Sequence, residues 1–297
     1  MNSSITQVLN GTIANGGSQN RFNATVSQLE SNGFLFDISF TMPSGYTHKW
    51  DFLKDIFINI TLRMGNTGNK SSCGLVSNAR LYDLLSYSDF VAGVSMKGTD
   101  FTAGKLCRIS GYIDNGFFKM QSTDALEISL NILDKANFPA ADVSFTISSI
   151  LNEIQATEFI TYSSMDATGA DQNYKNILNV FYIGSGVNAE AVITDETNPN
   201  NVNIASAIAL SNAVGRFEFF TDFGEIYKEP FGLSQNCAIR CPNSNNPSLL
   251  LRGYEFFPDR MEKALDETIA QRDALIEKIR QSDSDKFNYL VSLGIID

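Results

Sequence analysis

The sequence predicts an all-β protein made of two similar halves, and three observations support this. Apolar and polar residues alternate over residues 34–40, 56–64 and 126–132, which is the period of a half-buried strand. The 22 Phe and 10 Tyr residues are spread through such segments and do not follow helical stripes. A similar order of elements also appears twice along the 297 residues, which indicates a tandem duplication.

The duplication is read from four elements in each half. We predict a short helix, a glycine-rich loop, a strand and a closing strand, in that order. They lie at 77–86, 93–104, 105–113 and 126–132 in the first half, and at 203–212, 232–235, 236–240 and 248–254 in the second. By this alignment the strands at 105–113 and 236–240 correspond, which would place Cys107 and Cys237 at matching positions.

The remaining elements follow from local patterns. Alternation predicts a strand at 143–147, and the weaker alternation at 177–183 indicates a strand buried on both faces. The sequence Asp-Asn-Gly at 114–116 predicts a hairpin turn. We predict the boundary between the halves around 150–173, a region that includes the polar stretch 161–173. The predicted organisation is a flexible or loosely pinned N-terminal arm at 1–21, a first β unit at 22–160, a second at 161–257, and a C-terminal helix and tail at 258–297.

The longest predicted helix is C-terminal. Pro258 and Asp259 are typical of a helix start, and an apolar stripe at helical spacing follows. Its central members are Leu265, Ile269 and Ile279. Both β units should be closed by residue 257, so we interpret these three residues as an assembly interface. The alternative, equally open at this point, is that the stripe packs only on its own chain.

Composition excludes several classes of function. The net charge of −11 disfavours direct binding of nucleic acid, which requires Lys and Arg to neutralise phosphates. No apolar run is long enough to span a bilayer as a helix, and the first residues do not resemble a secretory signal. The four cysteines, at 73, 107, 237 and 241, do not form a disulfide-scaffold pattern, so we expect free thiols.

Residue types that carry chemistry are sparse. The single histidine, His48, leaves little basis for a catalytic triad or a histidine zinc site. We therefore expect no enzymatic activity, no cofactor and no metal. Two weaker alternatives rest on acidic residues, namely a glycosidase carboxylate pair and an oxygen-ligand calcium site. The glycosidase candidates are Glu218, Asp222, Glu225 and Glu229, and the calcium candidates are Asp166, Asp171, Asn173, Asp195 and Glu196.

Two tandem β units, each with a short helix before a glycine-rich loop, indicate two jelly-roll barrels in tandem. In duplication and strand order, residues 22–257 resemble the double jelly-roll major capsid proteins of tailless, membrane-containing icosahedral bacteriophages. The Asn-, Ile- and Phe-rich composition is most similar to that of the flavobacterial lipid-containing phages. The chain departs from some members because it has no long basic or amphipathic N-terminal anchor.

The resemblance implies a homotrimer with a pseudo-hexagonal outline in a virion shell over an internal membrane. It further implies neighbouring capsomers and minor capsid proteins as partners, and synthesis in the host cytoplasm. The alternative is a glycan-binding spike or surface lectin, because jelly rolls serve several functions. Its binding platform would be aromatic residues in loops, namely Tyr46, His48, Trp50, Tyr82 and Tyr87.

Overall fold

The computed structural model describes most of the first 255 residues. The described residues are 4–65, 72–92, 99–151, 159–165, 172–183, 190–195, 202–206, 218–221, 224–228, 236–240, 248–255 and 277. Met1–Glu255 form one compact unit and Phe256–Asp297 form a second. In the second unit only Glu277 is described, and it is helical and exposed. The predicted assembly stripe therefore lies outside the described residues.

The described part of the first unit is mostly β-sheet with one α-helix, which confirms the all-β prediction. The strands fall into two sets in chain order. The first set is β1 (Ser4–Ile13), β2 (Arg21–Val26), β3 (Glu30–Thr41), β4 (Ile56–Arg63), β5 (Ser72–Arg80), β6 (Leu106–Lys119), β7 (Ala125–Ile132) and β8 (Val143–Leu151). Helix α1 (Leu81–Ala92) lies between β5 and β6, and a 3-10 helix (Asp51–Asp55) precedes β4.

The second set contains nine strands of four to eight residues. They are β9 (Phe159–Met165), β10 (Gln172–Lys175), β11 (Ile177–Ile183), β12 (Glu190–Asp195), β13 (Val202–Ser206), β14 (Glu218–Thr221), β15 (Gly224–Lys228), β16 (Asn236–Arg240) and β17 (Ser248–Glu255). Strand β14 pairs only with β15 in the described residues and lies at one edge of its sheet. Without β14, each set has eight strands.

The two sets have the same strand order. In the first set the hydrogen-bonded orders are β1-β8-β3-β6 and β2-β7-β4-β5. In the second set they are β9-β17-β11-β15 and β10-β16-β12-β13. If each set is renumbered from its own first strand with β14 omitted, both read 1-8-3-6 and 2-7-4-5. The two sets therefore share one strand topology.

One sheet runs through both sets. Strand β5 of the first set pairs in parallel with β9 of the second, and this joins the strands into a nine-stranded sheet of order β14-β15-β11-β17-β9-β5-β4-β7-β2. The other strand pairs in the three sheets are antiparallel. A parallel pair in an otherwise antiparallel sheet marks the place where one set meets the next.

Alternating burial builds the core of the first set. Strand β7 alternates between half-buried and fully buried residues along its whole length, and β3 buries Phe34, Phe36, Ile38 and Phe40. Across the two sheets, the rings of Phe22 and Phe145 meet edge to face with centroids 4.8 Å apart. The strands predicted at 34–40, 56–64, 126–132 and 143–147 are all confirmed.

The predicted N-terminal arm is wrong for most of its length. Strand β1 pairs with β8 from Ser4↔Leu151 to Ile13↔Val143, across nearly the full span of the first set. The residues of β1 are mostly exposed and polar because the strand lies at a sheet edge, so its sequence lacks strict alternation. Only a few inward residues, among them Val8, Leu9 and Ile13, are buried.

The alignment of the two halves was shifted by one strand. By order in the sheets, β16 corresponds to β7 and not to β6, and β17 corresponds to β8. Cys107 in β6 and Cys237 in β16 therefore do not occupy matching positions. The predicted helix at 203–212 is wrong at its start, because Val202–Ser206 form strand β13, and the rest lies outside the described residues. The polar stretch 161–173 also begins inside a strand, β9.

Two local predictions in the first set are also corrected. The first helix starts at Leu81, not at 77, because residues up to Arg80 continue β5. The Asp-Asn-Gly sequence does not form a hairpin but lies inside β6, where the pairs Ser31↔Phe118 and Gly33↔Asp114 enclose a bulge. Gly116 has φ +72°, as a turn would require, but the chain continues along the same neighbour, β3.

The role of β1 can be tested with two matched substitutions. Ile13 is 3% exposed and Ile5 is 67% exposed, although both lie on β1. Ile13→Ala should lower the free energy of unfolding by about 2–5 kcal/mol because it leaves a cavity in the core. Ile5→Ala should change it by less than about 0.5 kcal/mol. Guanidinium chloride unfolding followed by circular dichroism measures both, and equal, small effects would restore the loose-arm interpretation.

An ion pair on β3 and β6 predicts a specific acid sensitivity. Asp37 accepts hydrogen bonds from Arg108 Nε at 2.8 Å and Ser110 Oγ at 2.9 Å. Burial alone would raise the pKa of Asp37, but these bonds and the Arg108 charge hold the pKa below its ordinary value. The stabilisation is therefore present above the unfolded pKa, near 3.8, and is lost as pH falls through the folded pKa.

Asp37→Asn should remove that part of the acid sensitivity. At neutral pH the loss should be at most about 1 kcal/mol, because the pair is partly exposed. The difference from the unsubstituted protein should shrink as the pH approaches about 3. Unfolding free energies measured at both pH values test this, and a difference that grows in acid would contradict the assignment.

Candidate functional site at the junction of the two strand sets

The aromatic platform predicted for a lectin is not assembled on the surface. Trp50 is 4% exposed and packs edge to face against Phe40 and Phe101. Tyr82 and Tyr87 are each 6% exposed. Only His48 is exposed, and Tyr46 is half-buried with its hydroxyl donating to the Asn137 carbonyl at 2.7 Å. These aromatic residues belong mainly to the core, so they offer no continuous face for a sugar.

The acidic candidates are only partly described. Glu218 and Glu225 lie on the paired strands β14 and β15. Asn173 is exposed on β10, and Asp195 ends β12. Asp166, Asp171, Glu196, Asp222 and Glu229 lie outside the described residues. Among the residues that the structure describes, no group of three or more His, Cys, Asp or Glu side chains could hold a metal ion.

A cluster of buried polar groups lies where the two strand sets meet. The parallel pairing of β5 with β9 is short, with the register Val76↔Tyr162 and Ser77↔Ser163. Asn115, from the bulge in β6, is fully buried beside this pairing. Its side-chain amide nitrogen donates to the carbonyl of Leu75 at 3.2 Å and to the carbonyl of Ile160 at 2.8 Å. One amide therefore bridges a strand of each set.

The bulge holds β9 through a second bond. The hydroxyl of Tyr162 donates to the carbonyl of Asp114 at 2.8 Å, and Gly116 N donates to the Asp114 carboxylate at 2.8 Å. Burial raises the pKa of Tyr162 well above its ordinary value, with Tyr87 contributing further. The phenol therefore remains protonated and keeps its donor at any physiological pH. We call this cluster the junction clasp; it consists of Leu75, Asp114, Asn115, Gly116, Ile160 and Tyr162.

Helix α1 forms the other side of the junction. Its first nine residues, Leu81 to Asp89, are all buried, although two are aspartates. Ser164 of β9 donates to the Asp83 carboxylate at 2.6 Å and accepts from Arg80 N at 2.9 Å. On the first set, Ser88 Oγ accepts from Tyr112 N at 2.7 Å. These hydrogen bonds offset part of the cost of burying polar groups at the junction.

Aromatic packing completes the contact between α1 and the second set. Phe181 of β11 meets Tyr87 at 4.9 Å and Phe90 at 5.8 Å between ring centroids. Tyr87 also lies 5.3 Å from the ring of Tyr162. Adjacent residues Val180 and Phe181 are both buried, so β11 is covered on both faces, as the sequence predicted. Helix α1 therefore packs between the two strand sets and contacts both of them.

The sequence contains one signal at this junction, but it does not predict the structure there. The Asp-Asn-Gly signal was visible, but a turn signal does not show whether the chain reverses or bulges. No periodic pattern marks Ser164 or Tyr162, because the polar stretch around them reads as a loop. An Asn next to Gly inside an otherwise alternating strand is the signal that would have indicated a bulge.

A shallow depression lies on the described surface. It has a volume of about 220 Å³ on the outer face of β2, β7 and β4. Its lining is mainly short and polar: Arg21, Asn23, Ala24, Thr25, Asn59, Thr61, Glu127, Ile128 and Ser129. Arg63 and Glu127 form an exposed ion pair nearby, with Nε and Oε1 2.6 Å apart.

The described thiols are buried. Cys107 is free, and Cys73 and Cys107 are both at most 1% exposed. Burial, with a smaller contribution from Asp100, raises the pKa of the Cys107 thiol. A buried thiol with a raised pKa is a poor nucleophile. Both residues act as small apolar core residues.

Comparisons with known proteins give distant structural similarities. No protein-family model and no curated protein matches the sequence. The major capsid protein P2 of bacteriophage PM2 aligns with 9% identity over 85% of this chain and 96% of its own, with a TM-score of 0.41. The atomic structure of Sulfolobus turreted icosahedral virus aligns with 11% identity over 86% and 91%, with a TM-score of 0.48. In the part of this chain that is described, no helix is long and apolar enough to cross a membrane.

The junction clasp makes a testable contribution to stability. Tyr162→Phe removes the hydrogen bond that the buried Tyr162 donates to the Asp114 carbonyl and should lower the free energy of unfolding by about 1–3 kcal/mol. Tyr46→Phe is the matched control, because it deletes a hydroxyl that bonds a carbonyl at a half-exposed site, and should cost less than about 1 kcal/mol. Chemical denaturation compares the two, and an equal or smaller loss in Tyr162→Phe would show that the clasp bond is unimportant.

Proposed function

We propose that this chain is a structural protein, the major capsid protein of an icosahedral virion, and that each of its strand sets is a jelly roll. The observation that carries the proposal is the repeated strand order, 1-8-3-6 with 2-7-4-5, found in both sets. Two facing four-stranded sheets in this order describe a jelly roll. The residue pattern, the duplication and the resemblance to double jelly-roll capsid proteins all favour the same reading.

The contacts at the junction support a structural role. The sets are joined by a continuous sheet, the junction clasp and a shared buried helix. A shell subunit needs its two barrels in one fixed orientation so that its lateral contacts repeat in every copy. The lectin alternative has less support, since Trp50, Tyr82 and Tyr87 are buried. We also propose that the chain has no enzymatic activity.

The proposed assembly is a homotrimer. Three copies of a two-barrel chain give six barrels with a pseudo-hexagonal outline, which can tile a shell. Permanent interfaces of this kind commonly bury on the order of 2,000 Å² or more. In this proposal the partners are neighbouring capsomers and minor capsid proteins, the shell encloses a membrane, and the chain is made in the host cytoplasm. The flavobacterial lipid-containing phages are the proposed nearest group.

Oligomeric state provides the direct test. Purified full-length protein should run as a trimer in size-exclusion chromatography with light scattering, and negative-stain images should show flat particles of pseudo-hexagonal outline. A folded protein that remains monomeric over a wide range of concentration, or that is retarded on a glycan column, would contradict the capsid role.

The C-terminal stripe is proposed as part of the trimer or shell contact. Replacing Leu265, Ile269 and Ile279 together by Asp should abolish trimers, because each loses roughly 1.5–3 kcal/mol of apolar burial and brings a charge to the contact. The β-sheet circular dichroism signal should be retained. Glu277→Gln, at an exposed position in the same segment, is the control and should assemble normally. Loss of the β signal in the triple variant would instead place the stripe in the core.

A further inference from the structure

A chemically reactive sequence lies at the centre of the junction clasp. Asn followed by Gly is the dipeptide most prone to spontaneous deamidation, because glycine leaves the following backbone nitrogen unhindered. The chain contains four such dipeptides, at 10–11, 15–16, 32–33 and 115–116. The environments differ: Asn15 is exposed in a turn, whereas Asn115 is fully buried and bridges the two sets.

We propose that Asn115–Gly116 is a self-modifying site that reacts while the chain is unfolded, is protected by folding, and prevents any chain that has reacted from closing its junction. The proposal concerns the fold of the chain and does not depend on the capsid role.

The reaction needs only water. In the unfolded chain the Gly116 nitrogen attacks the side-chain carbonyl carbon of Asn115, forming a C–N bond and a five-membered succinimide. The bond from that carbon to the side-chain nitrogen breaks, and the nitrogen leaves as ammonia with the proton given up by Gly116. Water then opens the ring at either carbonyl and leaves aspartate or isoaspartate. No oxidant or reductant takes part.

The native contacts oppose each step. Gly116 N–H is bound to the Asp114 carboxylate at 2.8 Å, and this negative charge disfavours loss of the amide proton. The side-chain nitrogen that must leave as ammonia donates to the carbonyls of Leu75 and Ile160, which cannot supply a proton. The Asn115 side chain has no solvent exposure, so the ring-opening water has no access.

The product cannot take the place of the amide. An aspartate at 115 would put a carboxylate oxygen where the nitrogen now lies, facing the Leu75 and Ile160 carbonyl oxygens at 3.2 Å and 2.8 Å. Asn115 Oδ1 accepts no hydrogen bond among the described residues, so nothing there stabilises a buried charge. Isoaspartate would also lengthen the backbone within the bulge opposite Gly33, where an added Cβ would lie 2.1 Å from Ile113 O.

The first experiment compares native and unfolded protein. Both are held at mildly alkaline pH, the unfolded sample in guanidinium chloride, and tryptic peptides are quantified by mass spectrometry. Peptide 109–119 contains Asn115 as its only asparagine, and peptide 1–21 contains Asn15. In the native sample, deamidation at Asn115 should be at least about tenfold slower than in the unfolded sample, because it requires opening of the junction. Asn15 should react in both. Equal rates at Asn115 in the two samples would overturn the proposal.

The second experiment follows refolding. Samples aged in denaturant for increasing times are diluted, and the soluble native fraction is separated from the aggregate. Deamidated peptide 109–119 should be enriched in the aggregate and depleted from the native fraction, while deamidated Asn15 should be distributed evenly. Peptide 22–49 reports the other buried site, Asn32, separately. Equal distribution of deamidated Asn115 would overturn the proposal.

A pair of variants isolates the effect of the product. Asn115→Asp should fail to give the native β signal at neutral pH, or should unfold at much lower denaturant concentration. Asn15→Asp makes the same charge change at an exposed turn and should refold like the unsubstituted protein. A normally stable Asn115→Asp variant would show that the clasp tolerates the product and would refute the proposal.

Discussion

The arrangement of this molecule depends on one short stretch of parallel pairing. Strands β5 and β9 meet at the register Val76↔Tyr162 and Ser77↔Ser163, and a pair this short fixes an orientation weakly by itself. The Asn115 amide strengthens it by donating to a carbonyl on each side. In a buried, low-dielectric setting such bonds are strong, and their loss leaves unsatisfied carbonyls. The two strand sets thereby form one compact unit.

The need to hold the two strand sets together also shapes helix α1. A helix that contacts a single sheet needs only one apolar face, but this helix is buried on all sides from Leu81 to Asp89. Its polar residues are therefore used internally: Asp83 binds Ser164 of one set, and Ser88 binds Tyr112 of the other. In place of a solvent-exposed polar face, this helix has hydrogen bonds to both strand sets.

The sequence predicts the fold best where burial is one-sided. Alternation located β3, β4, β7 and β8, because each has one face on the core and one towards solvent. It missed β1, an edge strand with few buried residues, and it missed the start of β9, whose serines bond to the junction. The duplication was recognised but aligned one strand out of register, because the short strands of the second set carry too little pattern to fix a correspondence.

The order of pairing also constrains how the chain can fold during synthesis. Strand β1 finds its partner β8 only after about 150 residues have been made, and non-local pairing of this kind slows folding. Yet β8 ends before β9 begins, so the first set can close before any strand of the second set exists. The finished edge of β5 then provides a template on which β9 can add. During synthesis, the second set would therefore emerge after the edge of the first set has formed. This order separates two similar sets of strands in time and limits mispairing between them.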